Sequence, residues 1–282
     1  MSDTMFSELK KITQFFTINF WNSRAFTFMA FLTIFISILM FIMTFFNFNS
    51  IISTFVQSGG LVIKVPNQLR ETSFNFIWGN IFIYIPILAS AFFAAGAISQ
   101  ELEQKTIYQL LSLPISKEII LLGKILSSFF ATALIVSIFI LSQLISYIVS
   151  FHSLPDLNFL IYYLLALLIT FSDVAMGIAV STFFSKSANS SIAYLIIYIV
   201  VMDIISLIFS STGNNPLLIK ANADRIVYRV FLNMDPYVLY YGGSLSPAPF
   251  LEIMYSIEIL LAYTGCFLFI AYISFFRRGI VK

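Results

Sequence analysis

Six tracts of the chain, at residues 25–46, 74–98, 119–151, 157–184, 191–211 and 251–276, are almost unbroken runs of apolar side chains. A helix rises about 1.5 Å per residue, so a hydrocarbon core of about 30 Å needs roughly 20 apolar residues to cross it. Every tract meets that length. The third and fourth exceed it, which implies tilt or ends that project beyond the bilayer. The runs do not alternate in and out, which argues against a β-barrel. Composition removes the soluble alternative: of 282 residues, 60% are hydrophobic and only 10% charged, against about 25% charged in a soluble domain. The expected fold is an all-α polytopic membrane protein with six transmembrane helices.

The net charge of +2 is too small to point to nucleic acid as a partner. Cys266 is the single cysteine, so no disulfide forms within the chain. The single histidine, His152, excludes a site that needs two. The first apolar tract follows a charged leader and is long enough to span, so it reads as a retained helix rather than a cleaved signal. Lys and Arg divide unequally between the loops. Lys10, Lys11, Arg24, Lys105, Lys117, Lys124, Lys186, Arg277, Arg278 and Lys282 collect on one side. Lys64, Arg70, Lys220, Arg225 and Arg229 collect on the other, in the two longest loops, where charge counts least. Both termini are expected in the cytoplasm, with the chain passing many times through the cell membrane.

Within the leader (residues 1–24), Phe6, Leu9, Ile12, Phe16 and Phe20 recur at helical spacing, and Trp21 and Arg24 precede the first span. That pattern suits an amphipathic helix in the membrane interface, or one whose apolar face a soluble partner buries. The six-span transmembrane domain is expected over residues 25–282. On the outer side, residues 47–73 and 212–250 form sizeable loops. The second alternates apolar residues with charges, Gly and Pro, which fits either an interfacial helix followed by turns or an ordered connector.

One polar segment interrupts the apolar pattern. "ELEQKTIYQLLSLPISKEIILLGK", residues 101–124, places Glu101, Glu103, Gln104 and Lys105 ahead of a partly apolar helical face. Leu113-Pro114 disfavours continuation of that helix, and Ser116 can cap a new one that runs through Lys117 into the third span. A simple connector would need only a few residues. This one has structure of its own and reads as a docking element.

The same segment resembles the cytoplasmic loop of type-2 ABC-transporter permeases. In that family an acidic residue precedes a Gly-Thr pair, a Leu-Leu-Ser-x-Pro-x-Ser-Arg/Lys run, and Gly-Lys at the third span. Glu101 or Glu103, Thr106, Leu110, Leu111, Ser112, Pro114, Ser116, Lys117, Gly123 and Lys124 occupy those places, with Lys105 where the family has glycine. "SELKK…WNSRAF" resembles the family's amino-terminal elbow, and "GIAVSTFFSKSANSSIA" its fourth-span end. The resemblance implies that residues 101–117 form a coupling helix seated on a separate ABC ATP-binding subunit. It implies two permease copies, or two related permeases, around the pathway, and export as the direction. The chain itself is then no enzyme and holds no cofactor; ATP and Mg belong to the partner. "LLGKIL" lacks the upstream glycine and following Ser/Thr of a phosphate loop, and "QSGGL" at 57–61 is incomplete as an ABC signature and falls on the outer side.

Asp173, Asp203 and Glu258 fall within the fourth, fifth and sixth apolar tracts. Each costs about 2.5–3.5 kcal/mol at mid-membrane, so all three are expected to face the bundle interior, with no Lys or Arg at similar depth to neutralise them. They are candidates for a substrate or ion pathway, or else for interhelical hydrogen bonds of about 0.6 kcal/mol each. Pro86 is expected to kink the second span, as a hinge or a static bend. The alternative function is an ATP-independent secondary transporter that uses these carboxylates, although no inverted repeat is visible. Intramembrane proteolysis finds neither a His-Glu-x-x-His motif nor a Gly-x-Ser-x-Gly elbow.

Overall fold

The computed structural model describes residues 3–57, 67–112, 114–211, 218–233 and 246–277. Among them the elements are all helical: α1 (Asp3–Trp21), α2 (Arg24–Gln57), α3 (Asn67–Phe82), α4 (Tyr84–Phe93), α5 (Ser99–Glu103), α6 (Thr106–Ser112), α7 (Lys117–Phe151), α8 (Leu157–Ser181), α9 (Ser187–Leu195), a π-helical stretch (Ile196–Asp203), α10 (Ile204–Ser211), α11 (Lys220–Asp224), α12 (Ile226–Arg229) and α13 (Phe250–Arg277). Six runs are long and apolar enough to cross a membrane: Arg24–Phe46, Arg70–Phe93, Lys117–Phe151, Leu157–Ser181, Ser187–Phe209 and Phe250–Arg277. The expectation of an all-α, six-span membrane protein is met.

α8 is the pillar of the bundle. Its spanning stretch is 78% buried, whereas the first, fifth and sixth spans are only 22%, 17% and 22% buried and turn most of their surface outward. Aromatic rings fill the centre. Trp78, Phe82, Phe139 and Tyr162 pack edge-on or tilted at 5.4–6.1 Å between centroids, geometries that suit the charge distribution of π systems.

The second span departs from expectation. It stops at Phe93, and residues 94–98 form turns instead of helix. The small side chains there permit close approach: a Cβ on Gly177 of α8 would stand 2.8 Å from Ala94 Cβ. Two amides released by the break, those of Ile98 and Ser99, donate to Ser181 Oγ at 2.9 and 3.0 Å. An unsatisfied buried amide costs about 1–3 kcal/mol, so Ser181 holds the break in place. A second discontinuity at Ile83 separates α3 from α4. Pro86, which has no N–H, follows it in the first turn of α4 and leaves the Phe82 carbonyl without its helical donor.

Two peripheral segments pack onto the bundle. α1 lies along α7 with Phe16 buried, and Gly123 makes this possible, because a Cβ there would fall 2.5 Å from Ile12 Cγ2. Phe6, expected on the same face as Phe16, is exposed with Phe15, Ile18 and Trp21. α1 therefore carries an inward and an outward apolar ridge. α11 and α12 are not laid on the surface, as an interfacial helix would be. They are sunk into the bundle, with Ala221, Ile226, Val227 and Tyr228 at most 3% exposed. A Cβ on Gly79 would meet Tyr228 Cβ at 2.9 Å, so that glycine admits α12 against α3.

Candidate functional site

Buried charge gathers at both ends of the bundle. At the α5 end, Lys124 is 3% exposed. Its ammonium donates to Glu101 Oε1 at 2.9 Å and to the Ala97 carbonyl at 2.8 Å, and it stands 4.3 Å from the centre of the Phe16 ring. The carbonyl is available because the helix has unwound at 94–98. Thr106 donates its hydroxyl to the second oxygen of Glu101. Between α5 and α6, Lys105 takes the left-handed conformation, with φ 58°. The turn that glycine makes easily is thus made by lysine, at a cost of about 1–2 kcal/mol. Glu103 reaches across to α9, where its Oε2 accepts the Ser187 amide at 2.9 Å. Lys186, which begins that helix, offers no side-chain cap, so the carboxylate of Glu103 supplies one and suits the helix dipole.

The rest of this segment faces outward. Gln104, Lys105, Gln109, Ser112, Pro114 and Ser116 are exposed, Leu110 and Lys117 are half-buried, and Ile107 is buried beneath them. The side chain of Leu111, and all of Leu113, lie outside the described residues. α6 ends at Ser112, and Ser116 caps α7 by accepting from the Ile119 amide, as the proline and serine imply.

At the α11 end, Lys220 sits between two carboxylates, donating to Asp173 Oδ1 of α8 at 2.6 Å and to Asp224 Oδ2 at 2.8 Å. All three side chains are fully enclosed. Tyr198 of the π-helical stretch donates its hydroxyl to Asp224, and its ring lies 5.0 Å from the Lys220 ammonium. Burial by itself would lower the pKa of Lys220; the charges of Asp173 and Asp224, and its hydrogen bonds to them, outweigh this and hold it above the ordinary lysine range. Arg225 reaches Asp203 at 2.9 Å, and Arg229 reaches Glu252 of α13. Three cations of the 218–233 segment therefore engage the fourth, fifth and sixth spans. A cavity of about 80 Å³ lies beside them, lined by Asn80, Tyr84, Tyr198, Asp203 and Arg225 among others. It has room for a few water molecules.

Six spans, an amino-terminal helix packed on the third, and a structured polar segment between the second and third together define the architecture. The profile of the family described as "ABC-2 family transporter protein" matches residues 64–280. The chain belongs to the ABC-2 transporter family. No curated protein sequence matches it. It is accordingly a multi-pass membrane permease of ABC transport.

Within this ABC-2 permease, the intramembrane carboxylates do not form one site. Asp173 and Asp203 meet the α11 segment through Lys220 and Arg225, which corrects the expectation that no cation lies near them. The π-helical geometry at 196–203 accompanies this pairing; such irregularities recur at functional positions. Glu258 is exposed on α13 and does not face the bundle interior. Sequence reasoning missed Lys124, Lys220, Asp224 and Arg225 as partners. One signal was available: Lys220 and Asp224 stand four apart, the spacing of a helical ion pair.

Proposed function

We propose that this chain is the membrane-spanning subunit of an ATP-driven exporter in the cell membrane, with both termini and the α5–α6 segment in the cytoplasm. A separate ABC ATP-binding subunit, carrying ATP and Mg, docks on the exposed face formed by Gln104, Gln109, Ser112 and Pro114. A second permease copy, or a related permease, completes the pathway. α1 occupies the cytoplasmic interface, with Phe6, Phe15, Ile18 and Trp21 toward lipid.

The single supporting observation is the anchoring of α5. Glu101 ties it to the third span through Lys124, and Glu103 ties it to the start of the fifth through Ser187. A push on this short helix would thus reach two spans at once. Terminal reporter fusions test the orientation. Coupling is tested by replacing Gln109 and Ser112 with arginine, which leaves the buried anchors intact. Loss of ATPase co-purification and of ATP-dependent transport, at normal expression, is the expected result. Undiminished transport in cells lacking every ATP-binding partner would sink this reading and favour a carboxylate-driven secondary transporter.

A further inference from the structure

The α11 cluster does not balance. Two carboxylates, Asp173 and Asp224, share one ammonium, that of Lys220, and all three are fully enclosed. With every group ionised, one negative charge would be left in a site that water does not reach. An uncompensated buried charge is costly enough that the group neutralises instead. The hydrogen bonds indicate which carboxylate does so. Asp224 Oδ2 accepts from both Lys220 and Tyr198, whereas Asp173 accepts from Lys220 alone. Asp173 Oδ2 and Asp224 Oδ1 are both buried with no hydrogen-bond partner among the described residues, and the smaller number of donors on Asp173, one against two, selects its Oδ2. A protonated oxygen at that position would remove the surplus charge.

We propose that Asp173 is a proton-binding site, holding one proton on Oδ2 while α11 is seated against α8 and releasing it when α11 withdraws. The ionisable groups around it are Lys220 and Asp224 from α11, Tyr194 from α9 and Tyr198 from the π-helical stretch. α4 brings Ser90 near Tyr194, and α13 brings Tyr263, which donates to the Leu218 carbonyl at 3.0 Å. The Arg225–Asp203 pair is balanced and lines the small cavity together with Tyr198. Release breaks the Oδ2–H bond and passes the proton to water admitted as α11 leaves. The carboxylate left behind is hydrated, and no electrons move. Seating of α11 is then linked to pH. The seated form binds one more proton than the withdrawn form, so acid favours seating and alkali opposes it, about tenfold per pH unit where that proton titrates. Lys220 stays charged through this range, so the slope belongs to the carboxylate.

The inference concerns the permease alone and stands whether or not an ATPase partner is found. Infrared spectroscopy of the full-length protein in lipid nanodiscs, labelled with carbon-13 aspartate, reads protonated aspartyl groups directly and leaves Glu258 out of the band. The unsubstituted protein should show one protonated aspartate at neutral pH. D173N should show none. D224N should also show none, because Asp173 and Lys220 then balance, while D203N should keep one. Hydrogen exchange across residues 220–229, corrected for its intrinsic pH dependence, should rise with alkali in the unsubstituted protein and stay flat in D173N. A band absent from the unsubstituted protein, or one that survives D173N, overturns the proposal. So does a stability that follows sodium or potassium concentration with no such band. If D173N fails to fold, the titration of the unsubstituted protein decides by itself.

Discussion

Lys124 and Lys220, both buried, solve a similar problem in opposite ways. Lys124 projects from a spanning helix toward a carboxylate on a peripheral segment; Lys220 projects from a peripheral segment toward a carboxylate on a spanning helix. Each pins a short helix to the bundle. At the α5 end one ammonium meets one carboxylate, a carbonyl and an aromatic face, and Glu101 keeps 20% side-chain exposure. At the α11 end one ammonium meets two carboxylates with no exposure at all. The first is a neutral clamp at a solvent edge, suited to transmitting force. The second is closed and unbalanced, so its stability depends on what else neutralises it. Net charge and enclosure, rather than the number of ion pairs, separate a fixed joint from a responsive one.

Removing each lysine tests the contrast most severely. Lys220→Met leaves two enclosed carboxylates without a cation and should cost about 3–5 kcal/mol, read as a collapse in folded yield or thermal stability at neutral pH. Lys124→Met leaves Glu101 free to hydrate and should cost about 1–3 kcal/mol, with the spans intact and protease access to residues 99–112 increased. Equal losses from the two would erase the distinction. Gly123→Ala drives a methyl group into Ile12 and should cost about 1–3 kcal/mol through overpacking. Its signature is increased cleavage of α1, with no change in exchange at 220–229. Glu103→Gln removes a charged cap worth about 0.3–1 kcal/mol, so stability should hardly move. ATP-dependent transport should fall by more than that stability loss explains, if Glu103 carries motion to the fifth span. The smallest effect is expected from Lys105→Gly, where relief of a left-handed conformation offsets the greater freedom of glycine in the unfolded chain. A change within about 1 kcal/mol in melting studies is the expected outcome.

Much of the fold could be read along the chain. Apolar tract length marked the six spans, and Pro114 and Ser116 marked the end of one helix and the start of the next. Lys105 stands in the family's glycine position, a replacement that argues against a tight turn, yet the structure makes that turn with Lys105 in the left-handed conformation. The second span was read too long, because Ala94, Ala95, Gly96 and Ala97 are as apolar as a helix interior. What unwinds them is contact with Gly177 and Ser181, more than 80 residues away along the chain. The site was read less well. Asp173 and Asp203 were recognised from their depth, but a partner 47 residues distant, as Lys220 is from Asp173, leaves no local pattern. Glu258 was placed inward by the same cost argument that worked for Asp173, and the packing of α13 turned it outward.

By itself, then, the sequence determined which segments enter lipid and where the polar breaks fall, because hydrophobicity and helix termination act over one or two turns. Tertiary structure alone decided which charges become partners and how many remain unbalanced. Burial raises the cost of a lone charge only after distant segments have closed around it.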